Sequence, residues 1–72
     1  MNFSIIIPLY NEKENVNQLN EELTTSLSKL QNNNHEFEII YVDDGSTDNT
    51  LENLKILKNE IKTIILKNNK NL

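Results

Sequence analysis

The sequence predicts an α/β fold with an open, parallel, three-stranded sheet. Three short apolar segments rich in β-branched residues alternate with two segments in which leucine recurs at helical spacing. Each apolar segment is nearly continuous, which is typical of strands buried on both faces of a parallel sheet. With 72 residues, the chain has room for one small domain at most. The order β-α-β-α-β, joined by right-handed crossovers, predicts the strand order 3-2-1 of a mononucleotide-binding half.

The first strand and the helix after it have the clearest patterns. The strand is predicted over residues 3–9, with Pro8 near its end because proline has no backbone N–H for the sheet. Asn11 and Glu14 resemble a capping box, which predicts that the helix begins close to Asn11. The polar residues 31–35 are expected to end this helix. Its apolar stripe, at intervals of three and four residues, consists of Val16, Leu19, Leu23, Leu27 and Leu30.

The second half of the chain repeats this pattern on a smaller scale. A strand is predicted over residues 37–42, and it ends at residues 43–48, Asp-Asp-Gly-Ser-Thr-Asp, which form a dense turn signal. Asp48 or Thr47 is suited to cap a second helix. A third strand is predicted over residues 61–66, followed by a polar tail. The stripe of the second helix consists of Leu51, Leu54 and Leu57.

The first strand also predicts a sheet with more than three strands. Ile5, Ile6 and Ile7 are all apolar, as in a central strand, yet the order 3-2-1 places this strand at an edge. An apolar edge strand presents unpaired backbone groups and favours aggregation. We therefore expect residues 1–72 to be a fragment, or the product of a truncated reading frame, of a longer protein.

The composition excludes several classes of function. Eleven acids and seven lysines give a formal net charge of −4, and arginine is absent, whereas binding to a phosphate backbone needs clustered basic residues. We therefore expect no nucleic-acid partner. The chain has no cysteine, so it offers neither a thiol nucleophile nor a zinc–thiolate site. No apolar run approaches the ~18 residues of a membrane helix, and the default compartment is the cytoplasm.

Ligands of open parallel sheets bind at the carboxyl ends of the strands. The first two strands end at residues 8–12 and residues 43–46, and we expect these two turns, together called the rim, to lie side by side. Tyr10 offers an aromatic face. Asp43 and Asp44 offer carboxylates that can accept a hydrogen bond from the ring N–H of uracil or guanine. The rim therefore predicts a nucleobase site with a preference for uridine or guanosine.

The same two turns resemble the motifs of a known family. Residues 4–12, Ser-Ile-Ile-Ile-Pro-Leu-Tyr-Asn-Glu, and residues 40–50, Ile-Tyr-Val-Asp-Asp-Gly-Ser-Thr-Asp-Asn-Thr, resemble the amino-terminal signature of family 2 glycosyltransferases with the GT-A fold. Within that family, the chain is most similar to dolichyl- or undecaprenyl-phosphate sugar transferases. The resemblance covers nearly the whole chain. It implies that residues 1–72 are the first part of a Rossmann-like, nucleotide-sugar-binding domain.

The resemblance implies roles for five residues of the rim. Pro8 and Tyr10 would line the pocket for the base and the ribose, and Asp44 would accept a hydrogen bond from the base. Glu12 would also approach the nucleotide, and Asp43 would brace the turn. The implied reaction transfers a sugar from a nucleoside diphosphate sugar of the uridine or guanosine type. The implied acceptor is a polyprenyl phosphate or a glycan.

The chain does not contain the part of the family signature that performs the chemistry. The Asp-x-Asp motif that binds Mg²⁺ or Mn²⁺ is absent, as are the catalytic base and the acceptor-binding segment, all of which lie downstream in the family. We therefore assign no catalytic residue and no metal ligand, and we expect the chain alone to be inactive. Membrane association, at the cytoplasmic face, would depend on segments that are not present here.

Three other interpretations of the sequence stay open. The acidic pair could form only a turn, with Gly45 at positive φ, and Tyr10 could be an ordinary aromatic residue at a strand end. The chain could be a complete, non-catalytic nucleotide-binding or regulatory module. It could also be a receiver-type phosphoacceptor domain, although in that class the acid pair follows the first strand, whereas Asp43 and Asp44 follow the second.

Overall fold

The structure, a computed structural model, describes residues 2–30 and 35–68. The predicted strands and helices are all present, and the strand ends lie within one residue of those predicted. The polar residues 31–34 that were expected to end the first helix, and residues 69–72 of the predicted tail, lie outside the described residues. The elements are β1 (Asn2–Leu9), α1 (Val16–Leu30), β2 (Glu36–Asp43), α2 (Thr50–Lys55) and β3 (Lys62–Lys67).

The three strands form one parallel sheet in the order β1-β2-β3, which confirms the predicted fold class and strand order. At the carboxyl ends, Leu9 pairs with Asp43, and Asp43 pairs with Lys67. All three strands therefore end in one row. The residues that follow them lie along a single edge of the sheet, and the rim is part of this edge.

Both helices cover one face of the sheet. Right-handed crossovers that proceed in one direction along a sheet place their helices on the same side. Alternate residues of the strands pack there against α1 and α2. Neither of these helices, the two that the described residues form, is long and apolar enough to cross a membrane. The buried apolar cluster consists of Leu9, Val16, Leu27, Ile39, Tyr41, Leu54 and Ile61.

The opposite face of the sheet, called the open face, is apolar and partly exposed. Ile6 is 64% exposed and Leu66 is 50% exposed. The near-continuous apolar strands predicted burial on both faces, and this prediction is wrong for the described residues because both helices lie on the other side. Parallel sheets are usually covered on both faces, so the open face has the composition of a buried surface. Toward the amino ends of the strands this face also carries the polar Ser4, Glu38 and Lys62. Its apolar part consists of Ile6, Pro8, Ile40, Val42, Ile64 and Leu66.

The helix ends differ from the prediction. α1 begins at Val16, and the capping box predicted at Asn11 does not form. Asn11 has a φ of 51°, in the left-handed region, whereas an N-cap residue has extended backbone. Leu30 is 58% exposed, because the buried cluster reaches only as far as Leu27 along α1. Leu57 lies beyond the end of α2 but still packs against the cluster, partly buried.

A buried polar network joins α1, β2 and the segment before β3. Tyr41 is 1% exposed, and its hydroxyl donates to Asn20 Oδ1 at 2.8 Å. The side-chain amides of Asn20 and Asn59 donate to each other at 2.8 and 3.0 Å, and Asn59 Nδ2 also donates to Thr63 Oγ1 at 2.8 Å. Burial raises the pKa of Tyr41. Leucine spacing did not reveal this network; its signal was the position of Asn20, one turn after Val16 on the stripe.

Candidate functional site

The two turns of the rim are hydrogen-bonded to each other. The N–H of Asp44 donates to the carbonyl of Leu9 at 2.8 Å, at the point where β1 ends. The N–H of Asn11 donates to Ser46 Oγ at 2.9 Å, and the N–H of Thr47 donates to Asn11 Oδ1 at 2.8 Å. These last two bonds join residues 35 and 36 positions apart in the sequence. The prediction that the two turns lie side by side is confirmed.

Each turn of the rim contains one residue with positive φ. Asn11 has a φ of 51°, and asparagine enters this region more readily than most residues. Gly45 has a φ of 80°, which glycine adopts without a Cβ clash. Asn11 therefore reverses the chain just after Tyr10, and its side chain accepts a hydrogen bond from the second turn instead of capping α1.

Further hydrogen bonds connect the first turn to the start of α2. The N–H of Glu12 donates to Thr50 Oγ1 at 2.8 Å, and the N–H of Lys13 donates to Asp48 Oδ2 at 3.4 Å. Asp48 Oδ1 accepts hydrogen bonds from both the N–H and the hydroxyl of Thr50, the first residue of α2. The bond from the Thr50 hydroxyl is the main cause of the lowered pKa of Asp48. The N-cap residue of α2 is Asn49, so the prediction that Asp48 or Thr47 occupies this position is wrong. Asp48 still bonds the first residue of α2 from the position before the N-cap, and it also binds the first turn.

Tyr10 and Pro8 both lie at the rim with accessible surface. Tyr10 directly follows β1 and is 55% exposed, in contrast to the buried Tyr41. Pro8 is exposed in the second-last position of β1, on the open face. Because the N–H of Asp44 donates to the carbonyl of Leu9, Asp44 is bonded to the residue that directly precedes Tyr10.

The two acids of the rim differ in burial and in partners. Asp43 is 1% exposed, and its Oδ2 accepts a hydrogen bond from the N–H of Ser46 at 3.4 Å. Its Oδ1 is buried and has no hydrogen-bond partner among residues 2–30 and 35–68. Asp44 is half-buried, and its Oδ1 accepts a hydrogen bond from Asn68 Nδ2 at 3.0 Å. Asp44 is therefore the more accessible acid, and Asp43 contacts the backbone of its own turn.

The backbone of Glu12 bonds to the start of α2, whereas its side chain bonds to a residue next to the start of α1. Its N–H binds Thr50, as described above. Its Oε2 accepts a hydrogen bond from Asn15 Nδ2 at 2.9 Å, next to the start of α1. A contact between the Glu12 carboxylate and a nucleotide stays a prediction.

Sequence reasoning missed one side chain at this edge. Asn68 follows β3, and its N–H donates to the carbonyl of Asp43 at 2.7 Å. Its side-chain amide donates to Asp44, as described above. The available signal was strand parity, because a parallel third strand ends at the same edge as the other two. The polar residues after that strand were interpreted only as a tail.

The described residues do not fit the divalent cation that the family resemblance implies. Within residues 2–30 and 35–68, no group of three or more His, Cys, Asp or Glu side chains could hold a metal ion. Asp43 and Asp44 are neighbours, but their carboxylates have different hydrogen-bond partners.

A separate concavity of about 260 Å³ lies at the other edge of the sheet, near the amino ends of the strands. Phe3 and Phe37 are among its lining residues, and their rings are stacked with centroids 5.3 Å apart. Glu36, Glu38 and Glu60 also line it, which makes it unsuitable for a phosphorylated ligand. Since ligands of parallel sheets bind at the carboxyl ends of the strands, we favour the rim as the functional site.

Known proteins match this chain across both turns of the rim. The family described as "Glycosyl transferase family 2" matches residues 4–72. The chain is 41% identical over 70 residues to the undecaprenyl-phosphate 4-deoxy-4-formamido-L-arabinose transferase of Proteus mirabilis (strain HI4320), a match that covers 92% of this chain and 21% of that protein. It is 39% identical over 61 residues to the poly(ribitol-phosphate) beta-N-acetylglucosaminyltransferase TarS of Staphylococcus aureus (strain Mu50), covering 85% of this chain and 10% of that protein.

The coverage of these matches differs between the chain and its relatives. The chain spans 10–21% of the length of these two proteins. No solved structure matches the chain. The sequence match therefore identifies a family, and the geometry of the rim has to support any statement about what the chain binds.

Proposed function

This chain belongs to glycosyl transferase family 2, and from that premise we propose that its rim binds the nucleoside of a nucleoside diphosphate sugar. The chain spans only part of its relatives, so the activity of the whole protein is also part of the proposal. The names of the relatives, an undecaprenyl-phosphate sugar transferase and a poly(ribitol-phosphate) sugar transferase, support a polyprenyl phosphate or a glycan as the acceptor.

The bond between the N–H of Asp44 and the carbonyl of Leu9 supports this proposal most directly. It brings the turn that contains Tyr10 against the turn that contains Asp44. The ring of Tyr10 is exposed and can stack on a nucleobase. The carboxylate of Asp44 can accept a hydrogen bond from a ring N–H. Uracil and guanine present such an N–H, whereas the neutral ring nitrogens of adenine do not, so the proposed donor is of the uridine or guanosine type.

The other residues of the rim support this pair. Pro8 would contact the base or the ribose from the open face. Asp43, buried and bonded to the N–H of Ser46, would hold the second turn in shape. Glu12 would approach the ribose once its carboxylate exchanges its contact with Asn15.

In the proposed reaction, the bond between the anomeric carbon of the sugar and the diphosphate breaks, and a bond forms from that carbon to an acceptor oxygen. The residues of the rim would orient the donor for this step by holding its nucleoside. We propose that other residues of a longer protein, which contains residues 1–72, bind the diphosphate and the acceptor and supply the catalytic base. Its site would face the cytoplasm, at the surface of a membrane.

Titration of the chain with uridine diphosphate and guanosine diphosphate tests the proposal. Asp44→Asn removes the charge that accepts the base N–H, a bond of about 1.5–3 kcal/mol, so affinity should fall roughly ten- to a hundredfold. Glu52→Gln removes one negative charge from the exposed surface of α2 and serves as the matched control. Calorimetry that finds equal affinities for both variants would remove Asp44 from the site.

A phosphoacceptor function gains no support from the structure. A phosphodonor has to reach the carboxylate that it phosphorylates, and Asp43 is 1% exposed. Asp44 is more accessible, but it follows the second strand and not the first. A stable acyl phosphate on either acid after incubation with a small phosphodonor would reverse this conclusion.

A further inference from the structure

Asn68 connects the third strand to both acids of the rim. It lies one residue beyond Lys67, the last residue of β3, and Lys67 pairs with Asp43 in the sheet. Its backbone N–H donates to the carbonyl of Asp43 at 2.7 Å. Its side-chain Nδ2 donates to Asp44 Oδ1 at 3.0 Å. One residue therefore binds the main chain of one acid and the side chain of the next.

We propose that Asn68 is a positioning residue for the nucleobase site, which orients the carboxylate of Asp44 toward the ring N–H of the base. This inference rests on the proposed function and adds a specificity determinant to it. Asn68 itself need not contact the nucleotide. Its effect on binding passes through Asp44.

The physical need for such a residue follows from the chemistry of aspartate. The terminal torsion of a carboxylate is broad, so each hydrogen bond to an aspartate narrows the range of orientations that its oxygen atoms adopt. Ordering that group before the ligand arrives lowers the entropic cost of binding. The hydrogen bond from Asn68 restricts the carboxylate plane in this way, and the backbone bond to Asp43 holds Asn68 in place.

An amide suits this role better than a basic side chain. An ionised carboxylate has about four acceptor positions, and the Asn68 amide occupies one of them. Because the amide is neutral, its hydrogen bond does not neutralise the negative charge of Asp44. A lysine or arginine at the same place would compete with the base N–H by forming an ion pair.

The side chain of Asn68 can be tested separately from its backbone. The backbone N–H of residue 68 is still present in Asn68→Ala, so the bond to the Asp43 carbonyl can persist while the bond to Asp44 is lost. Asn17→Ala removes an exposed amide from α1 that takes part in none of the hydrogen bonds described for the rim, and it is the matched control.

The binding experiment uses uridine diphosphate and its N3-methyl derivative, whose base has no ring N–H to donate. Asn68→Ala should weaken uridine diphosphate about three- to tenfold and change the affinity for the methyl derivative less than about twofold. In an Asp44→Asn background, adding Asn68→Ala should have no further effect. If guanosine diphosphate is the tighter ligand, it and its N1-methyl derivative take their place.

Several outcomes would overturn the inference. Equal losses for the two ligands, or a loss that persists in the Asp44→Asn background, would show that Asn68 has only a structural role. Unchanged affinity in Asn68→Ala, together with a clear loss in Asp44→Asn, would contradict the role of Asn68 and leave the proposed function intact. Unchanged affinity in Asp44→Asn, or no nucleotide binding by the unaltered chain, would overturn both the proposed function and the positioning role of Asn68.

A second measurement needs no nucleotide. If Asn68 donates to the Asp44 carboxylate, the NMR signals of its side-chain amide should shift with pH as Asp44 ionises. The shift should disappear in Asp44→Asn, and the amide signals of Asn17 should not follow this titration. An Asn68 amide that ignores the ionisation of Asp44 would show that the bond is not maintained in solution.

Discussion

The buried polar network and the hydrogen bonds of the rim use similar residues in different ways. In the buried network, side chains bond to side chains, as in the contact of the Tyr41 hydroxyl with Asn20. On the rim, backbone N–H groups of one turn donate to side chains of the other, as between Asn11 and Ser46. The buried network joins elements within the core, whereas the rim bonds shape a surface and leave the ring of Tyr10 exposed. The polar residues of the buried network therefore determine how the helices and strands pack, whereas those of the rim determine the shape of an exposed surface.

The largest expected effect is a loss of stability in the core that leaves binding at the rim unchanged. Asn20→Ala removes the acceptor of the Tyr41 hydroxyl and the donor to Asn59 Oδ1, whereas Asn59 Nδ2 keeps its bond to Thr63. Each buried group left without a partner costs about 1–3 kcal/mol, so the free energy of unfolding should fall by about 3 kcal/mol. Urea denaturation measures this loss.

The control for this change is the exposed Asn17→Ala on the same helix, which should alter stability by less than about 0.5 kcal/mol. A similar loss in both variants would mean that the buried network contributes little. Any Asn20→Ala chain that remains folded should keep its nucleotide affinity, because Asn20 does not contact the rim.

The second effect is the reverse, a loss of binding without a loss of stability. Tyr10→Ala removes an exposed ring, so we expect stability to change by less than about 0.5 kcal/mol. Loss of stacking should weaken nucleotide binding by about 1–2 kcal/mol, or roughly five- to thirtyfold. Tyr10→Phe keeps the ring and should retain most of the affinity. Calorimetry that detects equal binding by the alanine and phenylalanine variants would exclude stacking.

The third effect examines how the rim keeps its shape. Asn11→Ala loses the acceptor of the Thr47 N–H and keeps a Cβ in the left-handed region, whereas Asn11→Gly loses both the acceptor and the Cβ. The alanine variant should be less stable than the glycine variant by about 1 kcal/mol. Thermal or urea unfolding of the two variants side by side gives this difference. If alanine proves as stable as glycine, the positive φ of Asn11 is not a constraint on the rim.

The smallest expected effect concerns the stability of the chain at low pH. The pKa of Asp48 is lowered chiefly by the hydrogen bond from the Thr50 hydroxyl. Asp48 therefore binds a proton less readily in the folded chain than in the unfolded chain. Its stabilising contribution is therefore complete above the ordinary aspartate pKa of about 4 and is lost as pH falls through the lower, folded value. Urea midpoints between pH 6 and pH 3 should fall less in Asp48→Asn than in the unaltered chain. Parallel curves for the two proteins would contradict this role.

Much of the fold was predictable because apolar patterns act locally. The leucine stripe from Val16 to Leu27 follows from burial on one side of α1, and the continuous apolar run at residues 3–9 predicted a strand of a parallel sheet. The adjacency of the two turns of the rim followed from strand order alone. The exposure of Ile6 was not predictable in this way, because it depends on where both helices pack and not on the strand itself.

The candidate site was predictable only in its outline. The residue types at Tyr10, Asp43 and Asp44 predict a nucleobase site, and this site stays a prediction. The different environments of the two acids were not predictable, since both have the same side chain and adjacent positions. The contact with Asn68 joins residues 24 positions apart, and no local pattern indicates such a partner.

The sequence by itself determined the alternation of strands and helices, the parallel order of the strands and the edge at which they end. These features depend on the periodicity of apolar residues and on the handedness of the chain. Both are local properties that do not depend on residues distant in the sequence. The tertiary structure decided that Asn11 binds the second turn instead of capping α1, that Asp43 is buried while Asp44 is accessible, and that Asn68 reaches Asp44. Those outcomes depend on which polar groups come into contact once the strands are paired. They could not be predicted, because hydrogen bonds between distant residues leave no repeating pattern in the sequence.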